Sequence, residues 1–139
     1  MTRTYLKLSL DLDFILIAIT APLKDYVLCH KINTSLDYNF SKINDHEVYF
    51  NVDEPPLSFS KYQFEAEQGD NVYFIVNNRN PEGFLIPEMN KVDYFLVVHN
   101  YVDEEDLNLL LRGLNQIPDI QLAVQVDPLK LKSRENLVL

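Results

Sequence analysis

Val92-Asp93-Tyr94-Phe95-Leu96-Val97-Val98-His99 leads through an acidic turn into Glu104-Glu105-Asp106-Leu107-Asn108-Leu109-Leu110-Leu111-Arg112-Gly113-Leu114, and then to Ile120-Gln121-Leu122-Ala123-Val124-Gln125-Val126. The succession reads strand, helix, strand. In the first piece Val92, Tyr94, Leu96 and Val98 line one face while Asp93, Phe95, Val97 and His99 line the other, the period of two that a strand imposes. In the second, Leu107, Leu110, Leu111 and Leu114 recur at helical spacing. Asp103 or Glu104 can cap its start, and Glu105 and Asp106 suit the positive end of the helix dipole. Pro118 stops it. In the third, Ile120, Leu122, Val124 and Val126 alternate with Gln121, Ala123 and Gln125.

A similar unit opens the chain. Leu6, Leu8, Leu10, Leu12 and Phe14 share one strand face, and Lys7, Ser9, Asp11 and Asp13 the other. From Phe14 to Ile19 both faces are apolar, as in a strand covered on both sides. Asp11-Leu12-Asp13 is the natural break. Pro22 ends the element and starts a helix over about residues 23–36. Leu23, Tyr26, Val27 and His30 are expected to cover the sheet, leaving Cys29, Ile32 and Leu36 on a second apolar face. Strands are expected at Glu47–Asn51, Leu57–Glu65 and Val72–Asn77, with a hairpin link through Gly69 and a polar turn from Asn77 to Gly83. The order defines an α+β fold: a ferredoxin-like βαββαβ plan with extra strands in the middle and an extended C-terminal tail. A mixed α/β sandwich of other strand order is the alternative. Residues 1–127 form one domain, and residues 128–139 form a tail that packs on the domain or on a partner.

The size of the chain suits this reading, since 139 residues with eight Phe and eight Tyr can build one core. The single cysteine, Cys29, has no partner for an internal disulfide, which fits a reducing compartment. The longest apolar run, Phe14 to Ile19, is far short of the roughly 20 residues that span a bilayer, and the N-terminus lacks a secretory signal pattern. A cytoplasmic protein with no membrane partner is expected. A net charge of −9 opposes nucleic-acid binding, for which the basic cluster Lys130, Lys132 and Arg134 is too small.

Ahead of the decisive strand stands Ile86-Pro87-Glu88-Met89-Asn90-Lys91-Val92-Asp93-Tyr94. Its six fixed letters, Ile86, Pro87, Glu88, Val92, Asp93 and Tyr94, resemble the signature of the IPExxxVDY family of small, functionally uncharacterised bacterial proteins. The resemblance covers nine residues and implies no activity, cofactor or catalytic residue. Read from chemistry alone, Glu88 and Asp93 could be a carboxylate pair for acid–base work or a hard cation. Alternatively, Pro87 fixes a turn, the two acids accept bonds from backbone amides, and Ile86, Val92 and Tyr94 anchor the turn in the core. The second reading is preferred. Arg79 is the nearest cation able to pair with either acid.

Other constellations are weaker. Asp11 and Asp13 form a D-x-D on one strand face, better read as solvent-facing. His30 suits packing or an interface. His46 points away from Asp45 and Glu47. His99 could join Asp93 on the same strand face and complete a catalytic set with Glu88. No zinc-binding motif is present, Cys29 in mid-helix reads as packing, and the isolated Gly69, Gly83 and Gly113 exclude P-loop and Rossmann sites. No cofactor is expected. Surplus apolar residues, Cys29, Ile32, Leu36, Leu109, Leu137, Val138 and Leu139, suggest a homo-oligomer or a protein partner. The sequence thus favours a non-catalytic binding or regulatory module acting through protein–protein contacts. A small-ligand-sensing oligomer and a small acid–base or metal-dependent enzyme using Glu88, Asp93 and His99 are the alternatives.

Overall fold

A computed structural model describes residues 14–66, 71–100 and 103–139. The alternating leucines before Phe14, the Asp11/Asp13 pair and the Gly69 turn lie outside the described residues. Strands β1 (Ile15–Thr20), β2 (Ser41–Val48), β3 (Leu57–Glu65), β4 (Val72–Asn77), β7 (Tyr94–His99) and β8 (Leu122–Val126) form one sheet in the order β2-β3-β4-β7-β1-β8, and every neighbouring pair is antiparallel. A two-stranded ribbon, β5 (Arg79–Asn80) with β6 (Gly83–Phe84), occupies the polar turn. Helix α1 (Asp25–Leu36) follows β1, and α2 (Glu104–Asn115) links β7 to β8. Because β7 and β8 both run antiparallel to β1 between them, the β7-α2-β8 crossover spans β1. The chain is therefore α+β.

Both faces of the sheet are covered at its centre, and the alternation of β1 and β7 explains how. Ile17 and Ile19 lie beside Leu96 and Tyr94 and face the helices, where Leu28, Cys29 and Ile32 of α1 and Leu107, Leu110 and Leu114 of α2 complete a first core. Leu16 and Ala18 lie beside Val97 and Phe95 and face the other way. They meet Ile86 and Val92 of the signature and Leu131 and Leu137 of the tail in a second core. Strand β1, apolar from Ile15 to Ile19, is thus an interior strand between two cores, as its composition predicted. Among the described residues, no helix is long and apolar enough to cross a membrane.

Helix α2 forms as its sequence dictates: Asp103 accepts from the Asp106 amide at 2.8 Å, a standard N-cap, and Leu107, Leu110 and Leu114 of the stripe are buried with Leu111 half-buried beside them. Helix α1 presents a different face from the one expected. Leu28, Cys29 and Ile32 point inward, whereas Tyr26 and His30 are exposed. Two apolar stripes compete on this helix, and Tyr and His tolerate water at their polar ends, so the stripe of Leu28, Cys29 and Ile32 takes the core. Both helices then fasten the chain that follows them through one asparagine. Asn33 donates to the Phe40 carbonyl at 3.1 Å and accepts from its amide at 2.8 Å. Asn115 does the same to Ala123, at 2.9 and 2.8 Å, and so occupies backbone groups of the edge strand β8. At the other edge, β2 begins earlier than the expected Glu47–Asn51. Its register shifts between Ile43 and His46, and it carries Lys42, Asp45 and Glu47, so both irregularity and charge guard that edge.

Candidate functional site

The signature turn lies on the face of the sheet opposite the helices. Ile86 and Val92 are plugs in the second core, while Tyr94, at the start of β7, faces the first. Pro87 opens a 3-10 turn over Pro87–Met89, where its missing N–H costs nothing. The organiser is Asn78, a fully buried polar residue just before the ribbon. Its Nδ2 donates to the carbonyls of Met89 (3.0 Å) and Val92 (2.8 Å), and its Oδ1 accepts from the Ile86 amide (2.8 Å). Its own amide donates to the Asp93 carbonyl and its carbonyl accepts from Leu85, both at 2.9 Å. Turn and ribbon are therefore one hydrogen-bonded unit.

Both signature acids are held by other parts of the chain. Glu88 accepts from the Ser133 amide at 2.7 Å and from its hydroxyl at 2.8 Å, which ties the tail to the turn. Asp93 accepts from the Ala21 amide at 2.8 Å through Oδ2 and from Arg79 Nε at 2.7 Å through Oδ1. Beside it, the Asp93 amide donates to the Ile19 carbonyl at 3.0 Å and the Tyr94 hydroxyl donates to the Leu23 carbonyl. The V-D-Y half thus fastens the β1–α1 connection, and Glu88 fastens the tail. Further along, Asn136 donates to the Leu85 carbonyl at 2.9 Å, and His46 Nε2 lies 2.7 Å from the Asn136 carbonyl. Burial lowers the His46 pKa and outweighs the hydrogen bond to Asn136, which raises it; a carbonyl oxygen only accepts, so Nε2 carries the proton in that bond.

Glu88, Asp93 and His99 do not converge. Asp93 and His99 share a face but sit at opposite ends of β7, about 20 Å apart for six strand residues. His99 packs between the rings of Phe14 and Phe74, with centroids at 5.7 and 5.5 Å. Cys29 is buried under α1, which pushes its thiol up to about 12, with the Asp25 charge adding to the effect. No group of three or more metal-ligating side chains is found among the described residues. Of the seven interface candidates, Cys29, Ile32 and Leu137 are buried inside the chain itself, Leu36 and Leu139 are half-buried, and Leu109 and Val138 are exposed. The second apolar face of α1 is the inner face, so Cys29 and Ile32 are not available to a second copy.

The signature also walls an open cleft of about 530 Å³. Phe50, Pro55, Pro56 and Leu57 form one side, and Phe84 and Pro87 the other. Asn80 Nδ2 donates to the Ser58 carbonyl at 2.7 Å and so holds the ribbon against β3. The Arg79 guanidinium, pinned by Asp93, lies 5.4 Å from the centre of the Phe84 ring. Asp93 thus supports one wall through Arg79, and Pro87 is part of it. A Cβ at Gly83 would lie 3.3 Å from Leu57 Cδ1, so the walls meet closely there. Of the residues that line the cleft, the sequence singled out Pro87 and, as an isolated turn glycine, Gly83. The pair Pro55-Pro56 a few residues after Tyr49-Phe50 was the available signal.

Glu88 gives a pH-dependent test of the tail clamp. Burial raises its pKa, but hydrogen bonds from the Ser133 amide, its own amide, the Ser133 hydroxyl and the Lys132 amide outweigh this and hold it below the usual carboxylate value. A carboxylate depressed in the folded state contributes stability above its unfolded pKa, and that contribution fades as pH falls through the folded pKa. The Glu88→Gln variant is therefore expected to have a lower urea midpoint than wild type at pH 7, with the gap closing towards pH 3. A gap independent of pH would refute the charged clamp. In comparisons with known proteins, the chain matches no family model and no curated protein.

Proposed function

We propose that this chain is a non-catalytic binding module that works through protein–protein contacts, with the cleft beside the signature as its contact surface. The observation that carries this reading is the use made of the signature. Its two acids bond backbone and neighbouring side chains of the same chain, while Pro87 and the Asp93–Arg79–Phe84 stack shape an apolar cleft. Next to the cleft, Tyr49, Phe50 and Val52 are exposed at 66%, 47% and 94%, an apolar cluster of the kind that marks contact sites. For the architecture, we read β8-β1-β7-β4 as a ferredoxin-like core with β3 and β2 added at one side. Two helical crossovers in an all-antiparallel sheet support that reading.

The test is affinity capture from lysate of the native host, with wild type against a Phe50→Asp/Val52→Asp variant. Both positions are exposed, so the variant should keep the wild-type circular dichroism and urea midpoint. A protein retained by wild type and reduced about tenfold or more by the variant is expected, as for a hot-spot loss. The proposal fails if wild type retains nothing above a tag-only control, or if both retain the same protein equally.

A further inference from the structure

Resting on the reading of the cleft as a contact surface, we infer that its occupant is an extended peptide segment of another protein carrying Lys or Arg beside proline or aliphatic residues. Shape gives the first half of the argument. The walls are rigid and flat: three prolines, Pro55, Pro56 and Pro87, and two rings, Phe50 and Phe84. Such surfaces lose little side-chain entropy on binding, and aromatic and proline-lined grooves suit extended, polyproline-type segments whose own backbone is already ordered. The walls are also held before any partner arrives. Asn80 ties the ribbon to β3, and Asp93 fixes Arg79 behind Phe84. The exposed Tyr49 and Val52 flank Phe50 and Asn51 of the cleft in the chain, so apolar contact can continue past the cleft, as a peptide would use it and a compact ligand would not.

Charge gives the second half. Among the described residues, the charged side chains lining the cleft are Glu54 and Glu82, both exposed and both acidic, and Asp53 stands next to Glu54 in the chain. Among the described residues the lining contains no Lys or Arg, the Arg79 guanidinium behind Phe84 is paired with Asp93, and the whole chain carries −9. A basic segment is drawn to such a rim and an acidic one is repelled, which sets both partner choice and association rate.

The experiment is panning of a phage-displayed random peptide library on the full chain, followed by titration of the enriched peptides on wild type, Glu54→Lys/Glu82→Lys and Phe50→Asp. Enriched peptides are expected to place Lys or Arg beside proline or aliphatic residues. They should bind the charge-reversed variant at least about tenfold more weakly and lose affinity with added salt, while peptides selected on that variant turn acidic. Enrichment of acidic or uncharged peptides, no enrichment above a bare plate, or equal binding to wild type and the charge-reversed variant would overturn the inference. The two proposals fail separately. A native partner that depends on Phe50, together with failed panning, removes the basic-peptide chemistry alone. Successful panning without any such partner removes the cellular role and leaves the chemistry.

Discussion

Replacing Asn78 with alanine is expected to destabilise the protein by about 3 kcal/mol or more, although no apolar contact of any size is lost. The side chain is fully buried and satisfies three backbone groups, the carbonyls of Met89 and Val92 and the amide of Ile86. Truncation leaves these groups inside protein with no partner, at roughly 1–3 kcal/mol each before relaxation admits water. With a urea slope of about 1–3 kcal/mol/M for small proteins, a loss of about 3 kcal/mol should lower the midpoint by about 1–3 M. Asn78→Asp provides the control. It keeps the shape, but at neutral pH it sets a carboxylate against two carbonyls, so it should be at least as damaging. It should recover partly on acidification, when a protonated carboxyl can donate one bond. An Asn78→Ala midpoint within about 0.3 M of wild type would mean that the turn is held by something other than this amide.

The contrast between α2 and the signature shows what a single sequence can carry. Helix α2 was legible because its cap, first-turn acids and leucine stripe are all local, and each appears as expected. The alternation of Ile17, Ile19, Leu96 and Val98 against Leu16, Phe95 and Val97 was equally local, and it announced two covered faces. Strand β2 was misplaced because an edge strand paired on one side has little to bury. Its half-buried Ile43 and His46 straddle a register shift, which destroys the period of two. The signature was recognisable as a turn, but its meaning depends on partners far away in the chain. Asp93 bonds Ala21 across 72 residues and Glu88 bonds Ser133 across 45. No spacing rule reaches that far. Asn78 was hidden among Asn77-Asn78-Arg79-Asn80, a run that reads as an ordinary polar turn, and only burial separates the organiser from its neighbours.

Leu137→Ala is expected to cost about 3 kcal/mol, as much as truncating a leucine of the helical stripe, whereas Val138→Ala next to it should cost about 0.5 kcal/mol or less. Leu137 is fully buried in the second core, and Val138 is 37% exposed. The reason is architectural. The helices cover one face of the sheet, so among the described residues Leu16, Phe95 and Val97 on the other are shielded by shorter pieces, and the tail supplies two of the plugs, Leu131 and Leu137. Polar bonds set its path: Ser133 to Glu88, Asn136 to Leu85, and His46 to Asn136. These bonds fix register more than stability, since several are solvent-exposed and each contributes on the order of 1 kcal/mol. Burial of the leucines should dominate. Removing residues 128–139 altogether is therefore expected to leave the far-ultraviolet circular dichroism helical while exposing the second core. The shortened chain should bind a hydrophobic dye and self-associate, as an uncovered apolar sheet face does. Should Leu137→Ala and Val138→Ala shift the urea midpoint equally, the tail would not be a packed layer, and the Glu88–Ser133 clamp would have nothing to hold in place.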